Sequence, residues 1–318
     1  MYSESEKTGS ENEIVVIGAA GIDLVGRLTE MPDLGSSVPA EVRPSFGGVA
    51  RNVAENLSKL DQKVTFISAV GNNVFGTLLL SHLSENGVNT DACIISDNFY
   101  TSSYLAVLAE DGSLSFALDD MRVMSDLTPK TIHEQEEIIK KAACVFFDAN
   151  VPEDTIAAII KIANQYQIPI YADATSRSLA KRIQPFLQHF KLLNANMSEM
   201  EILIDHKFEI TGRTSALKAA RILVNQGVEM VVIPMADLGV CYATYDTSGH
   251  VPAIKTKILD PTGAGDALSA ALIFGILNDI PIDDTIRLGV MAASLTLHHP
   301  GTVLPSISVE KLYDMTMN

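Results

Sequence analysis

The sequence predicts an α/β fold of three layers, a mostly parallel sheet between two layers of helices, with a small second β-sheet set beside it. Three observations predict it: short apolar β-branched runs, helix-length stretches between them, and two insertions that break the alternation. The runs at residues 14–17, 64–69, 144–148, 168–173, 190–194 and 230–234 are nearly continuously apolar and several end in Gly or Asp, as strands buried on both faces do. Residues 49–60, 74–85, 152–165, 214–226 and 264–277 space their apolar positions at helical intervals. The insertions, at about residues 22–45 and 100–120, alternate polar and apolar side chains, and Glu110-Asp111-Gly112 supplies a hairpin turn in the second. Together they are expected to form one small antiparallel sheet, a lid over the carboxyl ends of the parallel strands, where open α/β sheets bind ligands.

With 318 residues and 47% apolar side chains, the chain can bury one large core. Residues 1–12 have no apolar run, so they are expected to be a disordered tail ahead of a single domain over residues 13–318. The tail lacks the apolar centre of a signal peptide, and nothing later approaches the roughly 18 apolar residues of a membrane span. Cys93, Cys144 and Cys241 are odd in number and far apart, which argues against a disulfide framework or a zinc site and fits a reducing cytoplasm. A formal charge of −16 repels a long phosphate backbone but allows a local cationic pocket for one nucleotide.

The strongest chemical signal is Asp260-Pro261-Thr262-Gly263-Ala264-Gly265-Asp266, which runs into a helix of small residues. Two glycines and an alanine at a helix start leave backbone N–H groups unscreened, and the helix dipole adds positive potential there, so the turn is an anion hole. Asp266 at its inner edge is placed to take a proton from an incoming hydroxyl while those amides hold the transferred phosphoryl group. A tight loop capped by Asp266 explains the same residues without chemistry. A second cluster, Phe46-Gly47-Gly48-Val49-Ala50-Arg51-Asn52, also opens a helix; the paired glycines admit a ligand to the backbone, and Asn52 offers both donor and acceptor to a polyol. Asn196 and Glu199 stand one helical turn apart after the fifth run, where they orient Mg2+ through water or simply begin an acidic helix.

Competing chemistries lack their residues. No Gly-Lys dipeptide occurs, which removes the P-loop; Gly18-Ala19-Ala20-Gly21 fails the dinucleotide spacing; His133-Glu134 lacks the second His of a zinc protease; and there is no G-x-S-x-G elbow.

The order of the three blocks, Gly-Gly-x-x-x-Asn near residue 50, Asn-x-x-Glu near 200 and Gly-Ala-Gly-Asp near 265, resembles the ribokinase-like family of carbohydrate and nucleoside kinases from about Ile14 to Leu312. The resemblance implies a Rossmann-like α/β/α core with a β-sheet lid and an ATP-dependent phosphotransferase. It implies Asp266 as general base, with Gly263, Ala264 and Gly265 as the anion hole for the γ-phosphate. Asp23, Gly47, Gly48 and Asn52 would hold sugar hydroxyls; Asn196, Glu199, Gly239, Thr262, Gly263 and Gly265 would bind MgATP, with Asn196 and Glu199 on the metal; Asp260 and Ser306, in the segment 300–306, would form a K+ loop. Three residues depart from the family pattern: Gly21 stands where a sugar-binding Asn is usual, Ala236 where a glycine is usual, and Pro234 where a hydroxyl is usual.

Residues 101–105, 117–121, 127–129 and 148–150 further resemble the pseudouridine-kinase branch of that family. The implied reaction is phosphorylation of a nucleoside 5′-hydroxyl, with Thr101, Asp120 and Asn150 facing the base or ribose; roles as turn and hairpin residues suit all three equally. A sugar kinase, another nucleoside kinase, or a silent nucleotide- or sugar-binding protein of the same fold are the rivals, and an intact Asp266, Gly263 and Gly265 count against silence. Family members often pair through the lid, so a homodimer is expected.

Overall fold

The computed structural model describes residues 13–30, 35–111 and 113–316. The expected tail and the turn residue Gly112 lie outside them. The strands are β1 (Glu13–Ile17), β2 (Gly21–Leu28), β3 (Ala40–Gly47), β4 (Val64–Ile67), β5 (Ala69–Gly71), β6 (Val88–Asn89), β7 (Ile94–Ser96), β8 (Ser102–Leu108), β9 (Leu114–Asp120), β10 (Ala142–Asp148), β11 (Ile170–Asp173), β12 (Leu192–Asn194), β13 (Met230–Pro234), β14 (Val240–Thr244) and β15 (Ser248–Val251). The helices are α1 (Val49–Lys59), α2 (Val74–Glu85), α3 (Pro129–Glu134), α4 (Glu136–Ile139), α5 (Glu153–Gln165), α6 (Ala180–Ile183), α7 (Met197–Leu203), α8 (Arg213–Asn225), α9 (Ala264–Leu277), α10 (Ile282–Leu297) and α11 (Val309–Thr316).

Among the described residues the main sheet has nine strands in the order β15-β14-β13-β12-β11-β10-β1-β4-β6. Every pair from β13 to β6 is parallel, while β14 and β15 close one edge antiparallel. All four apolar residues of β1 are buried because successive side chains enter different cores: Val15 and Ile17 join one apolar cluster, Ile14 and Val16 the other. Each such side chain contributes about 1.5–3 kcal/mol by leaving water. Phe147, fully buried against Phe190, is a position where truncation to Ala would cost about 3–5 kcal/mol.

All six apolar runs form strands, β1, β4, β10, β11, β12 and β13, within two residues of expectation. Helices α2 and α9 occupy the expected residues. The helix α10 was not among the expected ones; it packs with α1 against the Ala-rich α9, whose small side chains let neighbours approach closely.

The small sheet has the order β3-β2-β8-β9. It is not wholly antiparallel: β2 and β3 pair antiparallel, as do β8 and β9, but β2 and β8 run parallel. The reason is connectivity, since each insertion contributes its own two-stranded unit and no hairpin joins β2 to β8. In this sheet Asp23 lies opposite Ser45 and Tyr104. Strand alternation therefore puts Gly21, Asp23 and Ser102 on one face, and Leu24, Leu105 and Leu118 on the other.

Candidate active site

Helices α1 and α9 meet at the carboxyl end of the parallel strands, and their first turns carry the main polar groups. Gly48 begins α1 with φ 99° and no side-chain cap. A carboxylate from the sheet replaces the cap: Oδ2 of Asp148, the last residue of β10, accepts from the amides of Ala50 at 2.9 Å and Ala19 at 3.0 Å. Asp148 thus pins α1 to the end of β1, and burial raises its pKa despite these bonds. One turn into α1, the Nδ2 of Asn52 donates to Oδ2 of Asp266 at 2.6 Å, while the Asn52 Oδ1 is buried without a partner.

Asp266 stands in the first turn of α9 and is 8% exposed. Burial pushes its carboxyl up to about 7, further than the Asn52 bond pulls it back. No side chain caps α9, so its first amides keep their hydrogens for a ligand. Gly263 takes the left-handed conformation at φ 81°, and a Cβ there would lie 1.9 Å from the carbonyl oxygen of Thr302. At Gly265 a Cβ would meet nothing within 4 Å, so this turn faces open space. Asp23, on β2, has its carboxyl raised to about 6 by burial, with nearby Arg51 lowering it. Gly47 makes room for that carboxylate, since a Cβ there would lie 2.3 Å from its oxygens. Asp23, Gly47, Gly48, Asn52, Gly263 and Asp266 thus share one neighbourhood.

A second acidic group lines the ends of the next strands. Asp173, ending β11, accepts from Nδ2 of Asn194 at 2.9 Å, and the same nitrogen donates to Oγ of Ser269 at 2.8 Å. Asp173 is raised well above the usual carboxylate range by burial and by the nearby charges of Glu199 and Asp266. Asn196 and Glu199 form a reciprocal capping box at the start of α7: Asn196 Oδ1 accepts from the Glu199 amide at 3.1 Å, and Glu199 Oε2 from the Asn196 amide at 2.8 Å. Burial raises Glu199 as well. Asp173 and Glu199 influence one another, and the Asn194 Oδ1 beside them is buried without a partner; this oxygen-rich set fits Mg2+. Among the described residues no group of three or more His, Cys, Asp or Glu could hold a metal ion.

The remaining sequence-derived candidates are spread more widely. Thr262 donates its amide to Asp260 Oδ1 at 2.9 Å, and Oδ2 of Asp260 accepts from Gly301 at 3.3 Å, lashing the turn before α9 to the loop before Thr302. Ser306 is exposed, its hydroxyl accepts from Lys311 Nζ at 2.9 Å, and among the described residues no hydrogen bond joins it to Asp260. Asn150 is buried; its amide donates to Asp148 at 2.9 Å and its carbonyl accepts from Arg182 at 3.0 Å. The Thr101 hydroxyl is engaged with Asn73 and with the amide of Gly71, both at 3.1 Å. Asp120 pairs with Ser103, which places it on the lid face away from Asp23, and hydrogen bonds from Arg122 hold its carboxyl down at about 2. Gly239 turns the chain from β13 to β14 at φ 89°, where a Cβ would lie 2.2 Å from the carbonyl of Val251.

Two departures from the family pattern have a local cause or cost. A Cβ at Gly21 would lie 2.7 Å from the carbonyl oxygen of Ser102, so no asparagine fits there without moving β8. Ala236 sits at φ 51°, the left-handed region that costs a non-glycine residue about 1 kcal/mol.

Sequence reasoning missed Arg51, Asp148, Asp173 and Thr302 as parts of this site. Asp148 and Asp173 had a legible signal, since each ends an apolar run; Arg51 stood inside the Gly47-Gly48 motif, and Thr302 inside the segment 300–306 that resembles a K+ loop.

The family model for pfkB family carbohydrate kinases matches residues 11–308. The chain belongs to that family. As a member it is a phosphotransferase that acts on a hydroxyl group. The chain is 30% identical to the pseudouridine kinase of Escherichia coli (strain K12), covering 96% of each. A carbohydrate kinase from Agrobacterium tumefaciens superposes with a TM-score of 0.82 at 27% identity, over 96% of both chains. Arabidopsis thaliana ribokinase complexed with ribose and ATP superposes at 0.81 with 20% identity, over 96% of this kinase and 98% of that one.

Proposed function

We propose that this kinase transfers the γ-phosphate of MgATP to the 5′-hydroxyl of pseudouridine. The observation that carries the reading is the contact between Asn52 and Asp266 beside the uncapped amides of α9. The hydroxyl oxygen attacks phosphorus, the bond to the β-phosphate oxygen breaks, ADP leaves, and the hydroxyl proton passes to Asp266. Asp23 and Asn52 hold the ribose, and the amides of Gly263, Ala264 and Gly265 receive the charge on the phosphoryl oxygens. Mg2+ would be held near Asp173, Asn196 and Glu199, largely through water, and would neutralise phosphate charge. Pseudouridine is favoured by the 30% identity across nearly the whole length of a pseudouridine kinase; the ATP and ribose named for the Arabidopsis ribokinase support the donor and the furanose.

The protein is further proposed to act as a homodimer in the cytoplasm. Val42, Leu105, Leu114, Phe116 and Leu118 leave an apolar, solvent-exposed stretch on the lid sheet that a second lid would cover. Cys93, Cys144 and Cys241 are free thiols, which suits a reducing compartment. Among the described residues no helix is long and apolar enough to cross a membrane. The deciding experiment is ADP release with pseudouridine, uridine, inosine, adenosine and ribose as acceptors. Pseudouridine should give the highest kcat/KM; a higher value for ribose or another nucleoside would replace the substrate while leaving the kinase.

A further inference from the structure

We infer that Arg51 is a positioning residue that locks the sugar-holding turn to the phosphate-holding turn, through Thr302. The inference rests on the kinase reading above, but not on which acceptor is used.

One guanidinium touches three separate segments. Its Nη2 donates to the carbonyl of Phe46 at 2.9 Å and to Oγ1 of Thr302 at 2.8 Å. The Thr302 hydroxyl donates to that same carbonyl at 2.8 Å, which closes a triangle. Nη1 donates to Glu55 Oε2 at 2.5 Å, one turn further along α1. Phe46 lies directly before Gly47 and Gly48, where the lid strand β3 runs into α1. Thr302 is the residue whose carbonyl presses on Gly263 so closely that only glycine fits. Arg51 also precedes Asn52, the partner of Asp266.

The position is not one a cation takes without cause. Arg51 is 2% exposed and its Nε has no partner, so desolvation is offset only by fixed, well-aligned contacts. A planar guanidinium holds the Glu55 carboxylate and the Phe46–Thr302 pair at once, in different directions; a lysine ammonium has no such fork. If Arg51 were only glue within α1, its bond to Glu55 would suffice. The contacts that remain are both made outside α1, to the two turns that must present an alcohol and a phosphoryl group to each other. Misplacement of reacting groups by about 1 Å can cost on the order of a hundredfold in rate, so a strut between the turns should act on turnover rather than on the binding of either substrate.

Thr302→Val removes the hydroxyl while leaving the Arg51–Glu55 pair intact. With whichever acceptor the wild type phosphorylates, kcat should fall about tenfold, both KM values should stay within about twofold, and Tm should barely move. Arg51→Lys should lower kcat similarly, and the double variant should be no slower than Arg51→Lys alone within about twofold, because both break one connection. An unchanged kcat in Thr302→Val, or losses that multiply in the double variant, would overturn the inference. If the wild type phosphorylates no acceptor, the functional reading fails by itself; hydrogen exchange then tests the strut. Thr302→Val should speed amide exchange at Gly47–Gly48 and at Gly263–Gly265 together, and a change confined to one turn would count against the coupling.

Discussion

Asn52 and Asp266 face each other across 2.6 Å, amide nitrogen to carboxylate oxygen, although 214 residues of sequence separate them. The pair joins α1 to α9, the two helices that the proposed mechanism assigns to the sugar and to the phosphate. The donor hydrogen bond orients the carboxylate and favours its charged form, while burial opposes it.

Asp266→Asn keeps the shape of the turn and removes the proton acceptor. Its kcat should fall by a factor of order 10² to 10⁴ with KM for the acceptor within a few-fold of wild type. Steady-state ADP release checks this, and unchanged turnover would remove Asp266 from the mechanism.

The pH dependence follows from the direction of the shifts. Burial places the Asp266 carboxyl at about 7 and that of Asp23 at about 6. In the proposed mechanism Asp266 accepts the hydroxyl proton only when ionised and Asp23 accepts more strongly from sugar hydroxyls when ionised, so kcat/KM for the free enzyme should rise with pH through this window and level off above it. Asn52→Ala deletes a hydrogen bond to the charged form and should move the limb to higher pH, whereas a flat profile between pH 5 and 8 in the wild type would contradict the assignment.

The two glycines of the proposed anion hole should respond differently to alanine. Gly263→Ala forces a Cβ into a left-handed residue 1.9 Å from the Thr302 carbonyl, so both Tm and activity should drop. Gly265→Ala meets no atom within 4 Å; it should leave Tm nearly unchanged and instead hinder the phosphate, raising KM for ATP or lowering kcat. Thermal melts beside kinetics separate the two, and equal loss of stability would show that the turn at Gly265 is packed rather than open.

The apolar lid face carries its own test. Phe116, half-exposed on β9 between Leu114 and Leu118, should be central to any lid-to-lid contact. Light scattering at micromolar concentration should give a dimeric mass for the wild type and a monomeric mass for Phe116→Asp. A monomeric wild type would leave that face uncovered and refute the pairing.

Much of the core was readable because its signals are local. Continuous runs such as Val15-Val16-Ile17 can only be buried on both faces, so they demand a covered parallel sheet, and the spacing in residues 74–85 and 264–277 is helical by itself. The lid was legible as alternation, but not its parallel central pair, because alternation says nothing about which strands adjoin. The antiparallel edge went unread because β14 is short and β15, Ser-Gly-His-Val, has no apolar run; α10 carries helical spacing of its own and was missed although its signal is local.

The candidate site divides along the same line. Gly263, Gly265, Asp266 and the Gly47-Gly48 turn announce themselves in sequence, since backbone exposure and helix starts are properties of a few consecutive residues. That Asp148 caps α1, that Asp173 stands beside Glu199, that the Thr302 carbonyl makes glycine obligatory at 263 and that Arg51 bridges two turns were decided by the tertiary structure alone. Each joins groups far apart in the chain, and the free energy of such contacts depends on distance and burial, which no local pattern of residues encodes.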